Sequence, residues 1–117
     1  MNGIVLLNPN LPIGQLQQKE SLLFQKMLVY KLVDEWKVEI IKLNPYQIHE
    51  YYTIPHALLY DLKTKRNGMV DYLLLYSFKA VIRFQYIYPE KWVELESFFS
   101  KTVSVEQIER GGSEIIL

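Results

Sequence analysis

Apolar and polar positions along this chain alternate between short solid runs and helical stripes. The longest solid run is residues 69–76, relieved only by Asp71. Such a run suits a strand covered on both faces in a parallel sheet better than a half-wet antiparallel one. Residues 3–7 are a shorter run of the same kind, stopped by Asn8-Pro9-Asn10-Leu11-Pro12, because two prolines so close together exclude both helix and central strand. Over 16–36 the apolar residues Leu22, Val29, Val33 and Trp36 recur at helical spacing with Leu23, Met27 and Tyr30 beside them, which predicts a long helix with a broad buried face. Residues 38–43 read as a second strand ended by Asn44-Pro45. A polar, tyrosine-rich loop then leads to Pro55, placed as in the first turn of a helix, with Leu58, Leu59 and Leu62 inward and Asn67-Gly68 as its left-handed stop.

After the 69–76 strand, residues 78–88 fit either an alternating strand or a loop, and position in the chain favours the loop. Pro89 opens a helix to residue 100 with Trp92, Leu95, Phe98 and Phe99 spaced for burial. Residues 102–108 alternate as a strand, Arg110-Gly111-Gly112 makes a tight connection, and 114–117 is a last short strand. A link that short allows only an antiparallel return. The expectation is therefore a three-layer α/β domain with a mostly parallel five-stranded sheet and one antiparallel edge strand. No linker, repeat or low-complexity tract divides 1–117.

Composition narrows the function classes. The 117 residues carry 13 basic and 13 acidic side chains, so no global field draws nucleic acid or an anionic membrane. The absence of cysteine removes disulfides, thiolate catalysis and zinc-thiolate sites, and fits the cytoplasm. The first ten residues lack the pattern of a signal peptide, and no apolar run reaches the ~18 residues of a membrane span. The expectation is a cytoplasmic protein with no membrane partner.

In open parallel sheets ligands sit just past the carboxyl ends of the strands, which puts Ser77, Lys79 and Arg83 at the expected address. Arg83 could hold an anion with Lys79 nearby, though a solvated or salt-bridged arginine is the plainer reading. Asn8, Asn10 and Gln15 could form a polar pocket, or Asn-Pro-Asn could be a turn that satisfies its own backbone. His49-Glu50 with His56 lacks the spacing that puts two rings on one helical face, so no metal and no cofactor is expected. The scattered glycines form no phosphate loop. Tyr46, Tyr51, Tyr52, Phe84, Tyr86 and Tyr88 fall in segments read as loops, and aromatic residues are enriched at protein interfaces.

The succession of strand, polar loop with a glutamine, long helix running into Val38-Glu39-Ile40-Ile41, leucine-rich helix, and the 71–77 strand followed by an arginine-bearing loop resembles the N-terminal catalytic domain of the serine recombinases, the resolvases and invertases. The resemblance covers nearly the whole chain, as pattern more than identity. It places Leu75 to Arg83, including Ser77, over the family's third-strand signature without a gap. Gln15 then matches the glutamine after the first strand, with about one extra residue in the loop, and Gln25 the one within the helix.

The departures from the family matter more. Its nucleophilic serine corresponds to Asn10, an amide with no proton to lose and no nucleophilic lone pair. The arginine two residues earlier corresponds to Asn8, the aspartate-arginine pair to Lys79 and Ala80, and a further arginine to Tyr52. Only Arg83 keeps its charge. Phosphoryl transfer rests on positioning and cationic stabilisation, so the resemblance implies a catalytically inactive domain, without the family's long dimer helix and DNA-binding domain. What is expected is a protein-interaction or regulatory module, self-associating or bound to a protein partner. The alternative is a weak DNA binder using Lys63, Lys65, Arg66, Lys79 and Arg83.

Overall fold

The structure, a computed structural model, describes residues 1–65 and 68–111, without the side chains of 109–111. Strands β1 (Asn2–Val5), β2 (Glu39–Ile40), β3 (Val70–Leu75) and β4 (Phe99–Ser104) form a sheet in the order β2-β1-β3-β4. Every pairing among the described residues is parallel. Helices α1 (Gln18–Trp36), α2 (Pro55–Lys65), α3 (Ile82–Ile87), α4 (Pro89–Glu96) and α5 (Val105–Gly111) connect and flank the strands, with a 3-10 turn at Phe78–Ala80.

Successive side chains of a strand point to opposite faces, and the two central strands are apolar on both. Ile4, Leu73 and Leu75 join Leu58, Leu62, Trp92 and Leu95 in a core beneath α2 and α4. Val5 and Leu74 join Val29, Leu32 and Val105 in a second core beneath α1 and α5. This is the double burial that the solid run at 69–76 implied. In register, Gly3, Ile4 and Val5 face Tyr72, Leu73 and Leu74. Gly3 is required by close approach, since a Cβ there would stand 3.0 Å from Val38 Cγ1 and 3.2 Å from the Tyr72 carbonyl oxygen. Just before that register pair, the Asn2 N–H donates to Asp71 Oδ2 and the Asp71 N–H to Asn2 Oδ1, both at 2.8 Å.

Several expectations are corrected. Among the described residues the sheet has four strands, all parallel, and the antiparallel edge strand expected at 114–117 is not part of what they show. Residues 114–117 lie outside the described residues, as does Asn67. The 102–108 segment is divided, because β4 begins earlier, at Phe99, and α5 takes over at Val105 and carries through Arg110 and Gly111. The Ser104 hydroxyl, 3.4 Å from the Gln107 N–H, marks the change. The preceding helix accordingly stops at Glu96. Residues 78–88 are the 3-10 turn plus α3, with Val81 and Phe84 buried one turn apart.

β2 is cut to two residues for a reason visible in the ladder. Lys37 in the left-handed conformation (φ 54°) closes α1, and the Val38 N–H turns back to the Val33 carbonyl. Past Gly3, Tyr52 takes over the free edge of β1, donating its N–H to the Val5 carbonyl and accepting from the Leu7 N–H, both at 2.8 Å.

The buried stripe of α1 is also turned from the one expected. Ser21, Gln25, Val29 and Leu32 face inward, whereas Leu23 and Met27 are each 60% exposed and Trp36 is partly exposed. Hydrogen bonds to the loop after β1 draw the polar pair inward.

Candidate functional site

The strand order reverses direction at the centre, because the chain leaves β1 toward β2 and leaves β3 toward β4. The crevice beyond the carboxyl ends of β1 and β3 is thus the topological switch point, where parallel sheets bind ligands. A cavity of about 240 Å³ lies there. Leu6, Leu7 and Asn8 reach it from the end of β1, Thr53 and His56 from the start of α2, and Ala80, Arg83, Phe84 and Tyr88 from the segment after β3.

Asn8 ties these segments together. Its peptide N–H donates to Gln25 Oε1 at 3.1 Å, and its carbonyl accepts from Gln25 Nε2 at 2.7 Å. The fully buried Gln25 amide therefore pairs with one residue of backbone as a neighbouring strand would. Gln25 Nε2 also donates to Ser21 Oγ at 3.1 Å, and Ser21 Oγ donates to the Leu11 carbonyl at 2.6 Å. The Asn8 side chain accepts from the Asn10 N–H at 2.8 Å and donates to the Ala80 carbonyl at 2.9 Å. The Leu11 N–H closes the turn on the Asn8 carbonyl. This is the self-satisfying Asn-Pro-Asn turn, with one further strut across the switch point.

The nominated residues separate accordingly. Asn8, Ala80 and Arg83 meet at the cavity. Arg83 is exposed, and no carboxylate among the described residues pairs with it. Asn10 is turned to the rim, where its Oδ1 accepts from Gln18 Nε2 at 2.6 Å. Gln15 is exposed and joins neither group. Ser77 and Lys79 line a neighbouring polar hollow of about 180 Å³ with Glu106. The buried Ser77 hydroxyl donates to Glu106 Oε1 at 2.9 Å and accepts from the Lys79 N–H at 3.1 Å, capping the 3-10 turn.

Two of the six aromatics nominated as interaction surface belong to the core instead. Tyr52 and Phe84 are buried. Tyr52 is drawn in by its backbone pairing to β1 and by its hydroxyl, which donates to Asp61 Oδ2 at 2.7 Å. Burial, followed by that bond and the Asp61 charge, pushes its phenol well above the ordinary value. Phe84 and Tyr88 have ring centroids 5.7 Å apart, and the His56 ring stands edge-on to them at 4.9 and 4.6 Å. Tyr51 is half-buried, stacked on His49 at 4.9 Å with Lys26 Nζ 5.4 Å from its ring centre. Tyr46, Tyr86 and Tyr88 remain exposed, at 90%, 87% and 41%.

The five cations proposed as one patch do not form one among the described residues. Lys63 and Lys65 end α2 at the amino-terminal edge of β3, a strand's length from Lys79 and Arg83, and Arg66 lies outside the described residues. Lys63 is also paired with Glu94 at 3.2 Å. No group of three or more His, Asp or Glu among the described residues is placed to hold a metal. No helix among them is long and apolar enough to cross a membrane.

Thr53, His56, which was weighed only as a metal ligand, and Glu106 were not nominated as site residues from the sequence. The first two were recoverable, since the start of the helix after the second strand must lie at the carboxyl end of a parallel sheet. Glu106 was hidden by reading 102–108 as a strand. No family model matches the chain, and no curated protein or solved structure matches it either. The fold and site define a parallel α/β domain with a small cavity at its switch point.

Proposed function

We propose that this domain is a non-catalytic protein-interaction module on a resolvase-like architecture, one that self-associates through the surface beyond the carboxyl ends of its sheet. One observation carries the reading. Large apolar side chains are exposed from the two segments that frame this end: Tyr46 and Ile48, 90% and 89% exposed, with Ile54, before α2, and Ile82, Tyr86 and Ile87 on α3. Large apolar side chains exposed together at one end of a fold support an association site there. In the resolvase alignment the nucleophile position is Asn10, a carboxamide with no hydroxyl to attack phosphorus, and this supports the non-catalytic part.

Light scattering coupled to size exclusion, run from micromolar to near-millimolar protein, tests it. A concentration-dependent rise in mass, reduced by Tyr86→Ser, is expected; a strict monomer throughout sinks self-association. Weak nucleic-acid binding is the second reading, resting on Lys79 and Arg83 at one end of the sheet. It requires a salt-dependent gel shift, and no shift at low salt ends it.

A further inference from the structure

We propose that the switch-point cavity is a binding site for a small molecule with one flat apolar ring and one anionic group, a carboxylate or a phosphate monoester. This goes beyond the interaction surface around it and stands whether or not that surface self-associates. Three features of the cavity select such a ligand.

Its walls suit a ring. Leu6 and Leu7 close it from the β1 side, and the mutually packed Phe84, Tyr88 and His56 rings close the other. Aromatic faces and edges at these separations accept a further ring edge-on or offset. Phe84, Leu6, Leu7 and Ala80 are all buried, so this part of the cavity is preformed and needs no ordering on binding.

Its charge is of one sign. Arg83 borders the cavity with its guanidinium unpaired among the described residues, and none of the lining side chains is acidic. A guanidinium presents a planar fork that matches carboxylate and phosphate oxygens. Thr53 adds a hydroxyl from the segment before α2. Asn8 has its oxygen and one amide hydrogen engaged by Asn10 and Ala80, leaving one N–H to offer.

Its size is limiting. About 240 Å³ falls below the ~300–1,000 Å³ of clefts that hold drug-sized ligands. One ring and its acid group fit that scale; a dinucleotide does not.

The test is titration of ¹⁵N-labelled protein with benzoate and with phenyl phosphate, against benzyl alcohol and inorganic phosphate. Saturable amide shifts at Asn8, Thr53 and Arg83 are expected with at least one of the two aromatic anions, about tenfold tighter than with either control, the factor a charged hydrogen bond supplies. Whichever anion meets this pattern assigns the head group. Arg83→Gln should weaken the aromatic anion about tenfold and leave benzyl alcohol unchanged, while Arg83→Lys, which keeps the charge but loses the planar fork, should fall between Arg83→Gln and the native protein. The proposal is overturned by shifts that do not saturate or lie elsewhere, by benzyl alcohol binding as tightly as the anions, or by Arg83→Gln leaving anion affinity unaltered.

Discussion

Two loops of this molecule begin with the same local device and end differently. Asn8-Pro9-Asn10 and Asn44-Pro45-Tyr46 each fold so that the third residue's N–H donates to the asparagine Oδ1, at 2.8 and 2.9 Å. In each, the fourth residue's N–H closes on the asparagine carbonyl, at 3.1 and 3.0 Å. After β1, the Gln25 amide then clamps the Asn8 backbone, and Ser21 clamps the Leu11 carbonyl. After β2, no side chain from elsewhere among the described residues hydrogen-bonds to Asn44 or Tyr46. Both polar atoms of the Gln47 amide are buried without a partner there, as is the Tyr30 hydroxyl. The Asn-Pro pair makes the turn; a glutamine on a distant helix decides whether the turn is rigid. The second loop is held chiefly where it ends, at Tyr52.

The sharpest way to break this contrast is Gln25→Leu. It removes the clamp and leaves the Asn8 N–H buried without an acceptor, so a loss of roughly 2–4 kcal/mol is expected in urea unfolding. A loss below about 0.5 kcal/mol, the scale of a neutral surface change, would put the two loops on an equal footing.

Tyr52→Phe attacks the end of the second loop. Its hydrogen bond to the Asp61 carboxylate is worth roughly 1.5–3 kcal/mol where fully sheltered, and a loss at the lower end is expected. The same residue shapes the alkaline limb of stability. Burial, with Glu50 and Tyr51 adding to it, pushes the Tyr30 phenol up to about 12, and Tyr52 is raised as well. The folded chain keeps phenolic protons that the unfolded chain releases near pH ~10. This contribution is complete below that pH and is lost as pH climbs from about 10 through 12 and beyond. Urea midpoints measured over that range should fall, and Tyr52→Phe should flatten part of the decline.

The smallest effect is expected at the exposed tip. Tyr46→Ser should shift folding stability by no more than about 0.5 kcal/mol. If the tip belongs to the interface, its self-association should weaken in light scattering.

Much of the frame was legible because it is written locally. The solid apolar run at 69–76 implied a strand buried on both faces, and the prolines at 55 and 89 marked helix starts. What failed depended on partners far along the chain. Ser21 and Gln25 had no place in the apolar stripe expected for α1, because the loop groups that draw them inward lie in another segment. Tyr52 and Phe84 read as surface aromatics because they sit between elements, yet pairing with β1 and packing at the switch point bury them. The 102–108 alternation fitted a strand as well as a strand end plus a helix start, and period alone did not arbitrate. For the site, parallel topology pointed to the end of the sheet where the cavity lies and to Arg83, which borders it. It did not show that Lys79 falls in a separate hollow or that Thr53 and His56 complete the cavity.

The clasp between Asn2 and Asp71, 69 positions apart, also has a consequence for biosynthesis. Of the described strands β1 is translated before the others and is central, and its neighbour β3 follows only after α1, β2 and α2. At roughly 5–20 residues per second, several seconds pass with an adhesive N-terminal segment lacking its mate. During that interval β1 has only β2 to pair with and α1 to pack against.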